Sequence, residues 1–273
     1  MQKPSLPKGT RDFGPIQMSR RNFILDTIKD TFQLFGYQQL ETPSMENLST
    51  LTGKYGDEGD QLLFKILNSG DYLKDVSIAD LEAGASATLS KVSEKGLRYD
   101  LTVPFARYVV MNRNEISYPF KRFQIQPVWR ADRPQRGRYR EFYQCDADVV
   151  GTDSLICELE ILLMIKRVFA QLGLKDYAIK INNRKILTGL AEVIGSTGRE
   201  SDLCVAIDKL DKIGMDKVKD ELLTRGIDET QISIIEKYLS IEGGGDDKLD
   251  ALTALLGENT SALQGIEDLK FLL

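Results

Sequence analysis

The segment that most constrains the fold is residues 120–151, in which two strands of alternating polarity flank an arginine-rich loop. Apolar and polar residues alternate from Phe123 to Arg130, and the same pattern returns from Phe142 to Val149. Alternation with a period of two is typical of a strand that buries one face. The sequence therefore predicts a pair of strands with one apolar and one polar face.

The loop between these strands has an unusual charge density. Pro134 and Gly137 interrupt it, and five arginines occupy eleven positions: Arg130, Arg133, Arg136, Arg138 and Arg140. A simple hairpin needs only about two to five turn residues. Five like charges repel one another unless a polyanion lies among them, and arginine can grip phosphate with two hydrogen bonds. The loop therefore predicts a phosphate-binding site, with a merely basic surface hairpin as the alternative.

Directional polar groups accompany this charge. Gln144 and Asp148 are four residues apart on the second strand, so they share a face with Arg130 on the first. Phosphate-binding charge and hydrogen-bonding groups thus converge on one surface. This pattern favours a site for a small molecule.

The composition narrows the chemistry that is available. The 273 residues include no histidine, which removes His–Ser and His–Cys nucleophile pairs and most zinc or iron sites, so we predict no protein metal ligands. The net charge of −5 argues against a protein that coats nucleic acid without specificity. The three cysteines lack CxxC spacing, and no apolar run approaches 18 residues. These features predict a cytoplasmic protein without a membrane segment.

Two stretches are similar to one known family. Residues 128–144, VWRADRPQRGRYREFYQ, resemble motif 2 of the histidyl-tRNA synthetases, which are class II aminoacyl-tRNA synthetases. Residues 97–108, LRYDLTVPFARY, resemble the segment that holds the substrate's α-amino group in that family. Asp100 stands where many bacterial members have glutamate, which resembles the eukaryotic-like branch. Pro and Gly punctuate residues 7–15, which predicts an ordered arm before a helix. This N-terminal arm also resembles the N-terminal signature of the family.

The resemblance implies a function for the complete protein. ATP and histidine would form histidyl-adenylate, and the histidine would then pass to tRNA(His). Histidine recognition would involve the α-amino group at Asp100, Thr102 and Gln144, and the imidazole N–H at Asp148. Arg130 would bridge the histidine carboxylate and the α-phosphate, as the catalytic residue.

The ATP site is implied in the same way. Arg138 would hold the γ-phosphate of a bent ATP, and Phe142 would lie against adenine. Asp132 is a further ATP-binding candidate, and Mg²⁺ would bridge the phosphates. A carboxylate nucleophile is already ionised at neutral pH, so the first step would need placed positive charge and not a general base.

The expected architecture is α+β, with a class II synthetase-like antiparallel sheet flanked by helices. Apolar periodicity predicts helices over residues 15–35, 152–172 and 186–194, and strands over 37–43, 62–67, 97–104 and 177–182. Residues 68–96 are expected to be a mobile connection with one helical turn near 77–82. After Gly195 only helical periodicity remains. We therefore expect a catalytic core over 1–195 and a helical insertion module over 196–273, which in the family contacts the tRNA acceptor stem.

The resemblance also bears on assembly and completeness. Residues 37–43 occupy the place of motif 1, so a homodimer through this region is expected. The chain stops at Leu273 before motif 3 and the anticodon-reading domain of the family, so we expect an incomplete catalytic core and a truncated insertion, inactive alone.

Three other functions remain open: a histidine-sensing regulatory subunit of ATP phosphoribosyltransferase, a tRNA-binding regulatory domain, and another class II synthetase. The intact run from Arg130 to Arg140 and the helical module favour the synthetase over the first of these. The resemblances around Asp100 and Gln144 favour histidine over another amino acid.

Overall fold

The computed structural model describes residues 3–54 and 60–273. Its residues group into two compact units, Met1–Lys175 and Asp176–Leu273. The strands of the first unit are β1 Gln38–Gln39, β2 Met45–Asn47, β3 Lys65–Ile66, β4 Lys95–Leu97, β5 Phe120–Trp129 and β6 Glu141–Val150. Its helices are α1 Pro15–Leu34, α2 Leu48–Leu51, α3 Ile78–Glu82, α4 Ala85–Val92, α5 Thr102–Met111 and α6 Ile156–Gln171.

The predicted strand pair is confirmed as β5 and β6. The two strands are antiparallel over ten residue pairs, from Phe120 opposite Val150 to Trp129 opposite Glu141. The short strand β1 joins the other edge of β5 in parallel. The sheet is therefore mainly antiparallel, and the strand expected over residues 37–43 is shorter than predicted.

Helices α1 and α6 cover the apolar face of this sheet. Phe123 is fully buried and packs with Phe32 of α1, their ring centroids 5.4 Å apart. Met164 of α6 belongs to the same buried cluster. Full burial of one such side chain stabilises a fold by about 1.5–3 kcal/mol. The periodicity of α1 thus positions the sheet, and Gly36 ends that helix with φ +80°.

A second sheet has the order β2–β4–β3, with antiparallel pairing throughout. Arg98 follows its central strand and has no exposed surface. Its guanidinium donates to the carbonyls of Thr42 at 2.6 Å, Pro43 at 3.0 Å and Pro127 at 3.0 Å. One buried arginine therefore connects the two sheets of the first unit.

Two stretches of this unit differ from the sequence-based expectation. The strand predicted over 97–104 ends at Leu97, because the chain turns into α5 with the Asp100 carboxylate accepting from the Val103 N–H at 3.1 Å. Residues 68–96 hold α3, α4 and most of β4 instead of one weak turn. Ser77 caps α3 by accepting from the Asp80 N–H, and short capped helices of this kind leave little apolar periodicity in the sequence.

The second unit is helical in its described residues. Its helices are α7 Arg184–Val193, α8 Glu200–Ile207, α9 Leu210–Ile213, α10 Met215–Thr224, α11 Glu229–Leu239, α12 Gly245–Leu256 and α13 Thr260–Leu272. Residues 177–182 form no strand, contrary to prediction, since no described strand offers them a ladder partner. In the described part of the chain, no helix combines the length and apolar character needed to cross a membrane.

The division between the units lies about twenty residues before the expected boundary at 195/196. The reason is the apolar face of α7. Ile186, Leu190 and Ala191 are fully buried in one cluster with residues of the later helices, such as Ile266 of α13. Helix α7 therefore belongs to the helical unit and not to the sheet unit.

Candidate functional site

The polar face of the β5–β6 pair forms the floor of the candidate site. Cross-strand register places Arg122 opposite Asp148, and Gln124 opposite Asp146. Gln126 lies opposite Gln144 in the same row of alternate residues. The polar face of a sheet is often exposed to solvent, but on this face Arg122 and Gln124 are both completely buried. Buried polar groups need partners, so their contacts define the site.

Arg122 and Asp148 form an ion pair across the ladder. The Arg122 Nη2 atom lies 2.6 Å from Asp148 Oδ2 and donates to the Leu101 carbonyl at 3.1 Å. The Arg122 guanidinium also lies 4.2 Å from the ring centroid of Phe105 in α5. Burial lowers the pKa of Arg122, and the nearby carboxylates oppose that effect. This arginine therefore fixes one side of the polar face to the start of α5.

The acidic side chains of this face are partly shielded from water. Burial raises the pKa of Asp146 to about 6, with the negative charges of Asp148 and Asp100 adding to the effect of burial. Burial also raises the pKa of Asp148, although Arg122 acts in the opposite direction. Three carboxylates thus interact around one buried guanidinium. A cationic ligand that donates hydrogen bonds would relieve their mutual repulsion.

Of the residues predicted to hold the α-amino group, Asp100 and Thr102 lie where α5 begins, and Gln144 lies on β6. Asp100 is buried beside the first turn of α5, within electrostatic reach of Asp146 and Asp148. The Gln144 side-chain oxygen is buried without a hydrogen-bond partner among the described residues. A buried acceptor of this kind is expected to receive a donor from a ligand or water. Thr102 is exposed at the first position of α5, and not in a strand as predicted.

Arg130 is held by backbone and aromatic contacts. Its Nε donates to the Tyr99 carbonyl at 3.0 Å, and its guanidinium lies 5.2 Å from the ring centroid of Phe142. The two terminal nitrogens make no hydrogen bond within residues 3–54 and 60–273. One edge of the guanidinium is therefore anchored while the other can bind an anion.

The arginine loop supplies some of its own counter-charge. Asp132 receives two hydrogen bonds from Arg138, and its backbone carbonyl accepts from Arg140 Nε at 3.0 Å. Arg133 and Arg136 are exposed. The repulsion predicted from the five arginines is therefore reduced within the protein. The two ATP-binding candidates Asp132 and Arg138 are paired with each other.

The N-terminal arm packs on this loop. The Arg140 N–H donates to the Gly9 carbonyl at 2.8 Å, and the Arg11 guanidinium lies 3.4 Å from the ring centroid of Tyr139. Arg21 of α1 stacks on Phe13 at 3.9 Å. The prediction of an ordered arm over residues 7–15 is confirmed by these contacts.

Sequence reasoning gave no role to two residues of the polar face. Arg122 and Asp146 belong to the same alternating rows as Gln124 and Gln144, so the period of two already placed them there. The alternation from Phe123 to Arg130 begins one residue after Arg122. Nothing in the sequence indicated that Arg122 would be buried, since charged residues are seldom buried without a partner.

Comparison with known proteins identifies the family that the chain resembles. The family model described as histidyl-tRNA synthetase matches residues 90–273. A histidine–tRNA ligase from Phocaeicola vulgatus is 60% identical over 272 residues, which are 99% of this chain and 60% of that protein. The chain thus spans about 60% of the length of such relatives. The suggested likeness to the eukaryotic-like branch stays a prediction.

Solved structures share the fold. A histidyl-tRNA synthetase from Nostoc sp. PCC 7120 superposes with a TM-score of 0.81 at 30% identity, covering all of this chain and 57% of that one. A structure from Bacillus halodurans titled as an ATP phosphoribosyltransferase regulatory subunit/histidyl-tRNA synthetase gives 0.76 at 19% identity, covering all of this chain and 65% of that one. The second likeness concerns the fold alone. The expected α+β class II synthetase-like fold is confirmed.

Proposed function

Because the chain belongs to the histidyl-tRNA synthetase family, we propose that it carries the histidine- and ATP-binding sites of a histidine–tRNA ligase. The observation that carries this proposal is the arrangement of charge on one sheet face. The acceptor Asp148 lies toward one end of the face, and the acceptor Gln144 lies near its middle. The anchored guanidinium of Arg130 lies toward the other end. Histidine is complementary to such a face, because it has N–H donors at both ends and one carboxylate.

We assign the histidine contacts as follows. Asp100, Thr102 and Gln144 receive the α-amino group, and Asp148 accepts a hydrogen bond from the imidazole. The unpartnered Gln144 oxygen supports this assignment, since a ligand N–H would satisfy it. The pairing of Asp148 with Arg122 supports it as well, because a paired carboxylate stays ionised more readily despite its burial.

The reaction that this arrangement supports is adenylate formation. A carboxylate oxygen of histidine attacks the α-phosphorus of ATP, and the bond between that phosphorus and the bridging oxygen breaks, which releases pyrophosphate. No proton transfer is needed. Arg130 touches both the carboxylate and the α-phosphate and stabilises the charge that develops between them. The product then transfers its histidyl group to tRNA(His).

The ATP contacts come from the arginine loop. Arg138 binds the γ-phosphate and retains Asp132 as its neighbour, and Phe142 packs against adenine beside Arg130. Among the described residues no group of three acidic or cysteine side chains could hold a metal ion. Mg²⁺ would therefore enter on the phosphates of ATP, as part of the substrate.

Assembly and location complete the proposal. Residues 37–43 would contribute to a homodimer interface, and the helical unit would contact the acceptor stem of the tRNA. The free thiols of Cys145, Cys157 and Cys204 fit a reducing cytoplasm.

The decisive experiment is histidine-dependent exchange of pyrophosphate into ATP, measured on the longest protein that carries this chain. We expect exchange that requires histidine and stops when another amino acid replaces it. Binding of histidine without binding of ATP would instead identify a histidine-sensing regulatory subunit. Binding of tRNA with neither small molecule would identify a tRNA-binding regulatory domain.

A further inference from the structure

Arg122 connects the two segments that recognise histidine under the proposed function. Its Nη2 atom contacts both Asp148 Oδ2 at 2.6 Å and the Leu101 carbonyl at 3.1 Å. Leu101 lies between Asp100 and Thr102, which are assigned to the α-amino group. A single nitrogen therefore joins the imidazole end of the pocket to its amino end. We propose that Arg122 is a positioning residue that fixes the distance between these two ends, an inference that rests on the proposed function.

The burial of Arg122 argues for a specific role. Its side chain is 0% exposed, and desolvating a guanidinium is expensive unless geometry and charge compensate for it. Apolar side chains in place of the whole Arg122–Asp148 pair would stabilise this part of the fold at least as well, whereas removal of Arg122 alone would leave Asp148 without its counter-charge. A buried arginine here is thus better explained by the carboxylate that it holds than by stability.

The surroundings restrict the guanidinium to one orientation. Gln124 accepts from Nη1 at 3.4 Å, and the Phe105 ring of α5 lies 4.2 Å from the central carbon. A planar guanidinium clamped in this way presents its donors in fixed directions. Asp148 then offers its second oxygen to a ligand. A lysine would keep the charge but could not reproduce both contacts with the same geometry.

The pair also controls the charge of Asp148. Burial raises the pKa of this carboxyl and Arg122 opposes that rise. Removing Arg122 should therefore raise the pKa further, so that Asp148 is protonated at a higher pH and loses part of its capacity to accept an imidazole N–H. The other charged or titratable groups that influence this region are Asp146, Asp100 and Tyr37.

Arg98 provides a matched control. It is as deeply buried as Arg122, but its described hydrogen bonds go to carbonyls and to the side chains of Thr42 and Gln126. It forms no ion pair with a carboxylate in the described residues. Arg98→Met should therefore cost stability without changing the ionisation of Asp148.

The first measurement follows the Asp148 carboxyl itself, by carbon NMR with ¹³C-labelled aspartate. In Arg122→Met we expect its titration to move to higher pH by about one unit or more, whereas Arg98→Met should leave it in place. An unmoved titration in folded Arg122→Met, or an equal movement in Arg98→Met, overturns the proposal. This readout does not require that histidine binds, so it stands even if the proposed function fails.

The second measurement is histidine and ATP affinity by calorimetry between pH 5.5 and 8.5. We expect Arg122→Met to lower the affinity for histidine by about tenfold or more, while the affinity for ATP changes by less than about threefold. The lowest pH at which histidine still binds should move to a higher value. Equal losses for both ligands would overturn the positioning role. If Arg122→Met does not fold, Arg122→Lys serves instead. Arg122→Lys should lower the affinity for histidine with little change in the lowest pH at which histidine binds. An unchanged histidine affinity in this variant would contradict the proposal.

Discussion

Arg138 and Asp132 form a bidentate ion pair inside the arginine loop. Arg138 Nε lies 3.1 Å from Asp132 Oδ2, and Arg138 Nη2 lies 3.0 Å from Asp132 Oδ1. The Arg138 side chain is nevertheless 53% exposed. The pair thus links two positions of the loop, and a charged donor remains accessible at its surface.

This pair predicts different effects on ATP binding and on stability. Arg138→Ala should weaken ATP binding by about 1.5–3 kcal/mol, which is the usual contribution of a hydrogen bond to a charged group. The free energy of unfolding should change by less than about 1 kcal/mol, because exposed ion pairs contribute little. Calorimetry with ATP and urea unfolding measure the two quantities. Exposed Arg113→Ala is the control, and a large loss of stability with unchanged ATP affinity would make Arg138 structural.

Arg130 should matter for the chemical step more than for binding. Its anchored Nε and free terminal nitrogens place a charge-stabilising donor on the polar face. Arg130→Ala in the longest protein that carries the chain should slow adenylate formation by about 10²–10³-fold, or about 2.7–4 kcal/mol. Pyrophosphate exchange within threefold of the unmodified protein would remove Arg130 from the catalytic role. The Arg113→Ala variant again controls for the loss of one positive charge.

Asp148 should determine selectivity for histidine. The amide of Asp148→Asn lacks the charge that accepts an imidazole N–H and leaves buried Arg122 without its counter-ion. Histidine affinity should fall by about 1–3 kcal/mol more than ATP affinity. Parallel titrations with the two ligands test this difference. Exposed Asp153→Asn is the control, and equal losses for both ligands in Asp148→Asn would assign this residue to structure.

Asp146 should make the fold less stable as the pH rises. Its pKa in the folded protein is about 6 because of burial, above the usual value of 3.8. Between these values the folded state binds more protons than the unfolded state, so this contribution to stability is complete below pH 4 and is lost as pH rises through 6. Asp146→Asn should therefore be more stable than the unmodified chain at pH 7.5, by on the order of 2 kcal/mol. At pH 4 the free energies of unfolding of Asp146→Asn and of the unmodified chain should be equal. Urea unfolding at both values tests this, and a gain that is the same at pH 4 would exclude the mechanism.

The contact between the N-terminal arm and the arginine loop depends on Gly9. Its φ is +90°, and an added Cβ would lie 2.9 Å from the side chains of Arg140 and Pro134. Gly9→Ala should therefore release the arm and make trypsin cleave faster after the already exposed Arg11. Gly14→Ala is a matched control, because the nearest atom to its Cβ is 3.9 Å away and its φ is −72°. Equal cleavage rates in the two variants would show that the arm does not depend on this close approach.

Local patterns predicted the sheet and the polar groups on one of its faces. Alternation alone identified β5 and β6, and Pro15 and Gly36 marked the bounds of α1, because these features act within a few residues. The resemblance of residues 128–144 identified the family that the comparisons confirm. Residues Asp100, Gln144 and Asp148 were proposed as one set. Gln144 and Asp148 share one polar face, and Asp100 lies within electrostatic reach of Asp148.

Other features were decided by tertiary contacts. Residues 177–182 have a strand-like sequence but no ladder partner among the described strands. Helix α7 belongs to the helical unit because its apolar face is buried there. The strand predicted over residues 97–104 ends at Leu97, and the chain then enters α5. The sequence alone determined which residues alternate, which segments end, and which chemical groups the polar face carries, since these depend on neighbours in the chain. Only the tertiary structure decided that Arg122 is buried against Asp148 and that Asp132 forms an ion pair with Arg138 of its own loop. Burial and pairing depend on residues that come into contact only when the chain folds.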